Sequence, residues 1–148
     1  MINETDIAII QMLRQNSRES LAKMGKKIGI PMSTTYDKLK KLEENAILRH
    51  STIVDFRQLG FSHRIHLSLK FENNTKHSFR LFACSNPNVN NILECVGEYD
   101  FIMDCLFRDL KEMHAFIEDI KSGFNPTNMK RLDIVGDIKQ EGLKFWND

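Results

Sequence analysis

Apolar residues recur at helical spacing through the first 46 residues and at strand spacing through much of the remainder, so their pattern alone divides the chain. Ile9, Ile10 and Leu13 mark one face of a first helix, with Asn3 as its N-cap and Ile2 and Ile7 placed for a hydrophobic staple. Leu21, Met24 and Ile28, at i, i+3 and i+7, define a second helix that stops at Gly29. Thr35, Leu39 and Leu42 define a third. Its start stays open by two residues, because Pro31 suits a first helical turn while Ser33 is a natural cap. Two short amphipathic helices about a glycine turn are the grammar of a helix-turn-helix, and residues 1–46 are predicted to form one three-helix domain.

Residues 47–62 read as a linker: a short strand from Ile47 to Phe56, then a hinge at Arg57–Ser62 around Gly60. The period then changes to two. Ile65, Leu67, Leu69 and Phe71 alternate with Arg64, His66, Ser68 and Lys70, which describes a half-buried strand. A turn at Glu72–Lys76 leads to a helix over His77–Ser85, ended by Asn86-Pro87-Asn88. Strands at Val89–Val96 and Phe101–Phe107 are joined by Gly97-Glu98-Tyr99-Asp100. A helix over Leu110–Ser122, a strand over Arg131–Ile138 and an apolar tail of Leu143, Phe145 and Trp146 complete the chain. This βαββαβ order predicts a ferredoxin-like domain over residues 63–148, and an α+β protein as a whole. Ile102 and Leu106 lie on the side of their strand opposite Phe101, Met103, Cys105 and Phe107. The sheet's second face is therefore expected to be apolar too, and covered by a second copy of the chain.

Composition adds an asymmetry. The net charge of +1 over 148 residues hides ten Lys/Arg against seven Asp/Glu in residues 1–60, and eleven against thirteen thereafter. From Arg18 to Lys41 seven basic residues face two acidic ones, so the N-terminal half is the one expected to bind anions. Cys84, Cys95 and Cys105 are an odd number without CxxC spacing, and no stretch has the character of a signal peptide or membrane span. Free thiols in a reducing cytoplasm are expected.

Several of these features together resemble one family. They are N-E-x-D from Asn3 to Asp6, Gly29, the S-T-x-Y-x-K-L-K-x-L-E run from Ser33 to Glu43, Leu59-Gly60, and Gly97-Glu98-Tyr99-Asp100 ahead of an apolar strand. Across nearly the whole chain the sequence resembles the Lrp/AsnC family of prokaryotic transcription regulators. The resemblance implies an N-terminal domain that binds double-stranded DNA and a ferredoxin-like sensor domain. It also implies dimers that often assemble into octamers, and a response to amino acids or related small molecules. Gly25 stands where the family commonly has alanine, Asp37 where it is often basic, and Asp133 where it is commonly apolar.

With Thr35, Leu39 and Leu42 inward, Ser33, Thr34, Tyr36, Asp37, Lys38 and Lys41 are expected on the exposed side of the third helix, facing DNA. Lysines there would hold phosphate. Ser33, Thr34 and Tyr36 are candidates for base edges or nearby phosphates, and Asp37 either accepts from a cytosine amino group or discourages close approach. Charge alone leaves a solvated face open as the alternative. Residue by residue, the resemblance places effector positions on Gly97, Tyr99, Asp100, Leu110, Leu132, Asp133 and Ile134 at a junction between dimers, with Asp100 read as an exposed turn carboxylate that can meet an α-ammonium group. Two other readings remain. Siroheme decarboxylases look similar in architecture, but His50, His63, His66 and His114 lack metal-ligand spacing, and Cys95 to Tyr99 stands where those enzymes carry a His- and Arg-rich stretch. A sensor or partner-binding protein without DNA affinity is the other. No catalysis, metal or cofactor is expected.

Overall fold

The computed structural model describes residues 1–72 and 74–144, so Phe145 and Trp146 of the expected tail lie outside the described residues. The chain divides into two compact units, Met1–Val54 with the residues from Lys139 onward, and Asp55–Ile138.

In the first unit, α1 spans Glu4–Gln15, α2 Leu21–Ile28 and α3 Met32–Asn45. A reciprocal capping box opens α1: Asn3 Oδ1 accepts from the Asp6 N–H, and Asp6 Oδ2 from the Asn3 N–H, each at 3.0 Å. Ser20 caps α2 by accepting from the Lys23 N–H, and Gly29 ends it at φ +73°, in the left-handed region. Pro31 rather than Ser33 occupies the cap position of α3, which resolves the open boundary. Its carbonyl accepts from both the N–H and the hydroxyl of the fully buried Thr35, each at 3.0 Å. Ile9, Leu13, Met24 and Leu42 form the core, with Ile10, Leu21, Ile28, Leu39 and Ile47 packed against it.

The strand expected over Ile47–Phe56 does not form. The segment carries no strand pairing among the described residues, and Leu48, Ile53 and Val54 are exposed. β-branched residues favour extended backbone, but a strand also needs a hydrogen-bonded neighbour. From Phe56 to Leu59 the chain instead makes a 3₁₀ turn capped by Asp55 and closed at Gly60.

The second unit is an antiparallel sheet in the order β2-β3-β1-β4, where β1 is His63–Lys70, β2 Val89–Glu94, β3 Phe101–Phe107 and β4 Asn128–Asp133. Helices α4, Lys76–Ser85, and α5, Leu110–Phe124, complete the βαββαβ order. The register sets Ile65, Leu67 and Leu69 opposite Cys105, Met103 and Phe101. These residues share one buried face with Phe79 and Ala83 of α4 and Met113, Phe116, Ile117 and Ile120 of α5. Phe79 anchors the aromatic part, its ring 4.4 Å from that of Phe71 and 5.4 Å from those of Phe101 and Phe124.

Two expectations about the sheet need correction. The last strand starts three residues before Arg131 and ends at Asp133, not Ile138. Met129 pairs with Leu69 and packs against the core, and β1 offers its last partner at Arg64, whose carbonyl accepts from the Ile134 N–H at 2.8 Å. Nor is the second face uniformly apolar. Arg64 holds the buried Asp104 through two bonds of 2.7 and 3.1 Å, and Asn90 and His66 approach the same carboxylate at 3.0 and 3.2 Å. Ile102, Leu106, Leu93 and Leu132 surround a polar centre. Burial pushes the Asp104 carboxyl up, but Arg64 and Asn90 outweigh it and hold the group below its ordinary range.

Candidate nucleic-acid interface and sensor loop

The outward face of α3 follows from what its inner face must bury. Thr35 and Leu42 are buried and Leu39 half-buried, which leaves Ser33, Thr34, Tyr36, Asp37 and Lys41 exposed, as expected. Lys38 departs from the expectation. Its Nζ lies 2.8 Å from Asp6 Oδ1 and 3.5 Å from Asn3 Oδ1, so it points back to the first turn of α1 instead of outward. That bond holds the Asp6 carboxyl below its usual range. A closer reading of the helical period would have found this, since Lys38 sits three residues after Thr35 and four before Leu42. Lys40, which the sequence reading passed over, takes its place: it is exposed, with Nζ 5.6 Å from the Tyr36 ring centroid.

Other cations of the basic stretch are partly neutralised. Glu19 lies 3.6 Å from Lys23 and 3.5 Å from Lys27. Among the described residues the unneutralised positive charge of the stretch thus falls on Arg18, Lys26, Lys40 and Lys41.

Gly25 governs how closely α2 and the turn into α3 approach. A Cβ added there would sit 2.7 Å from the Ile30 carbonyl oxygen and 2.9 Å from Thr35 Oγ1. The hydrogen bond from the Ile30 N–H to the Gly25 carbonyl, 3.0 Å, fixes the same contact from the other direction.

In the sensor unit, Asp100 is not the exposed turn carboxylate expected. It is 6% exposed. Its Oδ1 accepts from Lys76 Nζ at 2.8 Å and Lys70 Nζ at 3.2 Å, and its Oδ2 from the Phe71 N–H at 2.9 Å. Burial pushes the carboxyl up, but these three donors prevail and bring it down to about 2. Its backbone closes the loop as well, the Asp100 N–H donating to the Leu69 carbonyl and the Asp100 carbonyl accepting from Cys95, both at 2.8 Å. Lys70 and Lys76 carried no signal in the sequence beyond their charge.

The candidate effector residues fall into two groups. Gly97, Tyr99 and Asp100 lie at the end of the sheet where Leu69 meets Phe101. Leu132, Asp133 and Ile134 lie where β1 begins, Asp133 opposite Ile65, and Leu110 follows the end of β3 that pairs with His63. Four residues of β1 separate the ends, about 13 Å at about 3.3 Å per residue. One chain does not bring the groups together. Leu110 and Leu132 are half exposed, Ile134 is partly buried, and Asp133 pairs with its neighbour Arg131 at 3.3 Å. Partial burial, then the Glu98 carboxylate, raise the Tyr99 hydroxyl above its ordinary value.

The combination of a helix-turn-helix with a ferredoxin-like sheet recurs in known proteins. Residues 2–43 match the AsnC-type helix-turn-helix domain. An uncharacterized HTH-type transcriptional regulator of Pyrococcus furiosus is 26% identical over 138 residues, covering 90% of this chain and 93% of that one. LrpA of Bacillus subtilis, another HTH-type transcriptional regulator, is 28% identical over 127 residues, 84% and 93% of the two chains. The crystal structure of a Neisseria meningitidis transcriptional regulator in complex with L-methionine shares the fold, with a TM-score of 0.86, 17% identity, and 95% and 94% coverage. The chain carries an AsnC-type helix-turn-helix over residues 2–43 and is similar over most of its length to HTH-type transcriptional regulators, in agreement with the resemblance to the Lrp/AsnC family. Among the described residues no helix is long and apolar enough to cross a membrane, and no group of three or more His, Cys, Asp or Glu is placed to hold a metal.

Proposed function

We propose that α3 reads duplex DNA, and that the sensor unit dimerises and takes an amino acid or related small molecule between copies. The observation that carries the DNA reading is the exposed row Ser33, Thr34, Tyr36, Asp37, Lys40 and Lys41 on a helix whose opposite face is locked by Thr35, Leu42 and the Lys38–Asp6 pair. In this reading Lys40 and Lys41 meet phosphates, Ser33, Thr34 and Tyr36 meet base edges or nearby phosphates, and Asp37 accepts from a cytosine amino group. Residues 1–46 serve as the DNA-binding domain, 47–62 as linker and 63–138 as sensor, those from Lys139 onward grouping with the first unit.

Selection of bound fragments from the source genome tests the reading: a recurring sequence is expected, and recovery at background level with no enriched sequence would defeat it. On a selected fragment, Lys41→Ala should weaken binding to all duplexes and lower the log–log salt slope by about 1. Lys38→Ala should leave that slope unchanged while costing at most about 1 kcal/mol of stability, because its ammonium is already committed to Asp6. Mobility shifts across a salt series separate the two outcomes.

Dimerisation is assigned to the sheet face of the half-buried Ile102, where the exposed Leu93 and Leu132 flank the Arg64–Asp104 pair and Leu106 is already buried within the chain. Ile102→Lys should halve the mass seen by light scattering while circular dichroism stays unchanged; an unchanged mass would place the interface elsewhere. The sensing reading draws support from the L-methionine complex of the Neisseria regulator. It draws support too from the division of the candidate residues between two ends of one sheet, which a second copy can reunite.

A further inference from the structure

The loop that carries Asp100 holds more positive charge than Asp100 cancels. Two ammonium groups, Lys70 and Lys76, converge on one carboxylate oxygen at 3.2 and 2.8 Å. Among the described residues no other carboxylate lies within ion-pair distance of either lysine, and Glu98 is instead hydrogen-bonded with Tyr99. The cluster therefore carries a net charge of +1. Each ammonium has three N–H donors. Lys70 spends one on Asp100 and one on the Gly97 carbonyl at 3.2 Å, and Lys76 spends one on Asp100, so three remain. Both side chains keep about a third of their surface open, 37% for Lys70 and 31% for Lys76. Gly97 leaves the approach clear, since a Cβ there would have no atom within 4 Å, and its φ of +129° disfavours any side chain.

We infer that Lys70 and Lys76 form an anion-binding site for the carboxylate of a small molecule, with Asp100 as the positioning residue that holds the two ammonium groups side by side. The inference rests on the sensing reading above and fixes its polarity. An amino acid bound here would present its α-carboxylate to the lysines. An α-ammonium group would meet two like charges, and would find an Asp100 whose two oxygens already accept three hydrogen bonds.

The test uses the full chain with lysines labelled at the ε-carbon, the two signals being assigned with Lys70→Gln and Lys76→Gln. Sodium acetate, titrated against sodium chloride at equal ionic strength, should shift both lysine signals, and methylammonium chloride should not. Lys76→Gln keeps an N–H donor for Asp100 and removes one charge, so it should weaken the acetate response about tenfold with the fold intact by circular dichroism. A response to methylammonium, or none to acetate beyond that to chloride, would overturn the site. A second arm compares L-methionine with its α-amide by calorimetry. If acetate binds but L-methionine and the other amino acids do not, the anion site stands and amino-acid sensing fails. If an amino acid and its α-amide bind equally, and Lys76→Gln changes neither, sensing stands and the inference is wrong.

Discussion

Asp100→Ala should lower the stability of the sensor unit by about 2–3 kcal/mol, the cost of removing a charged acceptor from buried donors. The Phe71 N–H loses its partner inside the protein, whereas Lys70 and Lys76, each about a third exposed, turn to water, so the ion-pair share of the loss is screened and small. Urea unfolding monitored by circular dichroism measures the difference. The same carboxylate sets a pH signature. Its folded-state pKa is depressed to about 2 from an ordinary 3.8, so its contribution is fully present above about pH 4 and is lost as the pH falls from 4 towards 2. The alanine variant should show a shallower loss of stability across that window than the parent. Equal slopes would mean that Asp100 does not carry the acid sensitivity.

Gly25→Ala should destabilise the helix-turn-helix by up to about 2 kcal/mol, although alanine is the better helix former. The propensity gain is about 1 kcal/mol. Against it, the new Cβ overlaps the Ile30 carbonyl oxygen at 2.7 Å, a backbone atom fixed by its neighbours, and Thr35 Oγ1 at 2.9 Å, which is itself bonded to Pro31. Relief requires α3 to move off α2, at a cost of about 1–3 kcal/mol for overpacking. The displaced helix is the one assigned to DNA, so affinity should fall together with stability. Thermal unfolding and mobility shifts on the same preparation check both, and a more stable variant would show that the turn can open freely.

Period and caps made most of the fold legible in the sequence. The 3.6-residue rhythm of Leu21, Met24 and Ile28 and the two-residue rhythm of Ile65, Leu67 and Leu69 both end in the core. Pairing was harder to read. Ile47–Phe56 has strand composition without a strand partner, and β4 is set by where β1 stops, which neither segment encodes locally. The same limit holds at the candidate sites. Ser33, Thr34, Tyr36, Asp37 and Lys41 lie outward because helical geometry is local, but Lys38 turns inward to meet Asp6, 32 residues earlier in the chain. Asp100 became buried through Lys70, Phe71 and Lys76, contacts that exist only once β1 and β3 pair.

The most direct test of the account is fluorescence anisotropy of the full-length protein on a selected genomic fragment and on a scrambled duplex of equal length, titrated at several salt concentrations. Tighter binding to the selected fragment is expected at every salt concentration, with affinity for both duplexes that falls as salt rises and a preference between them that shrinks in Thr34→Ala or Tyr36→Ala. Equal affinity for the two duplexes, or a preference untouched by both substitutions, would contradict the assignment of sequence reading to α3.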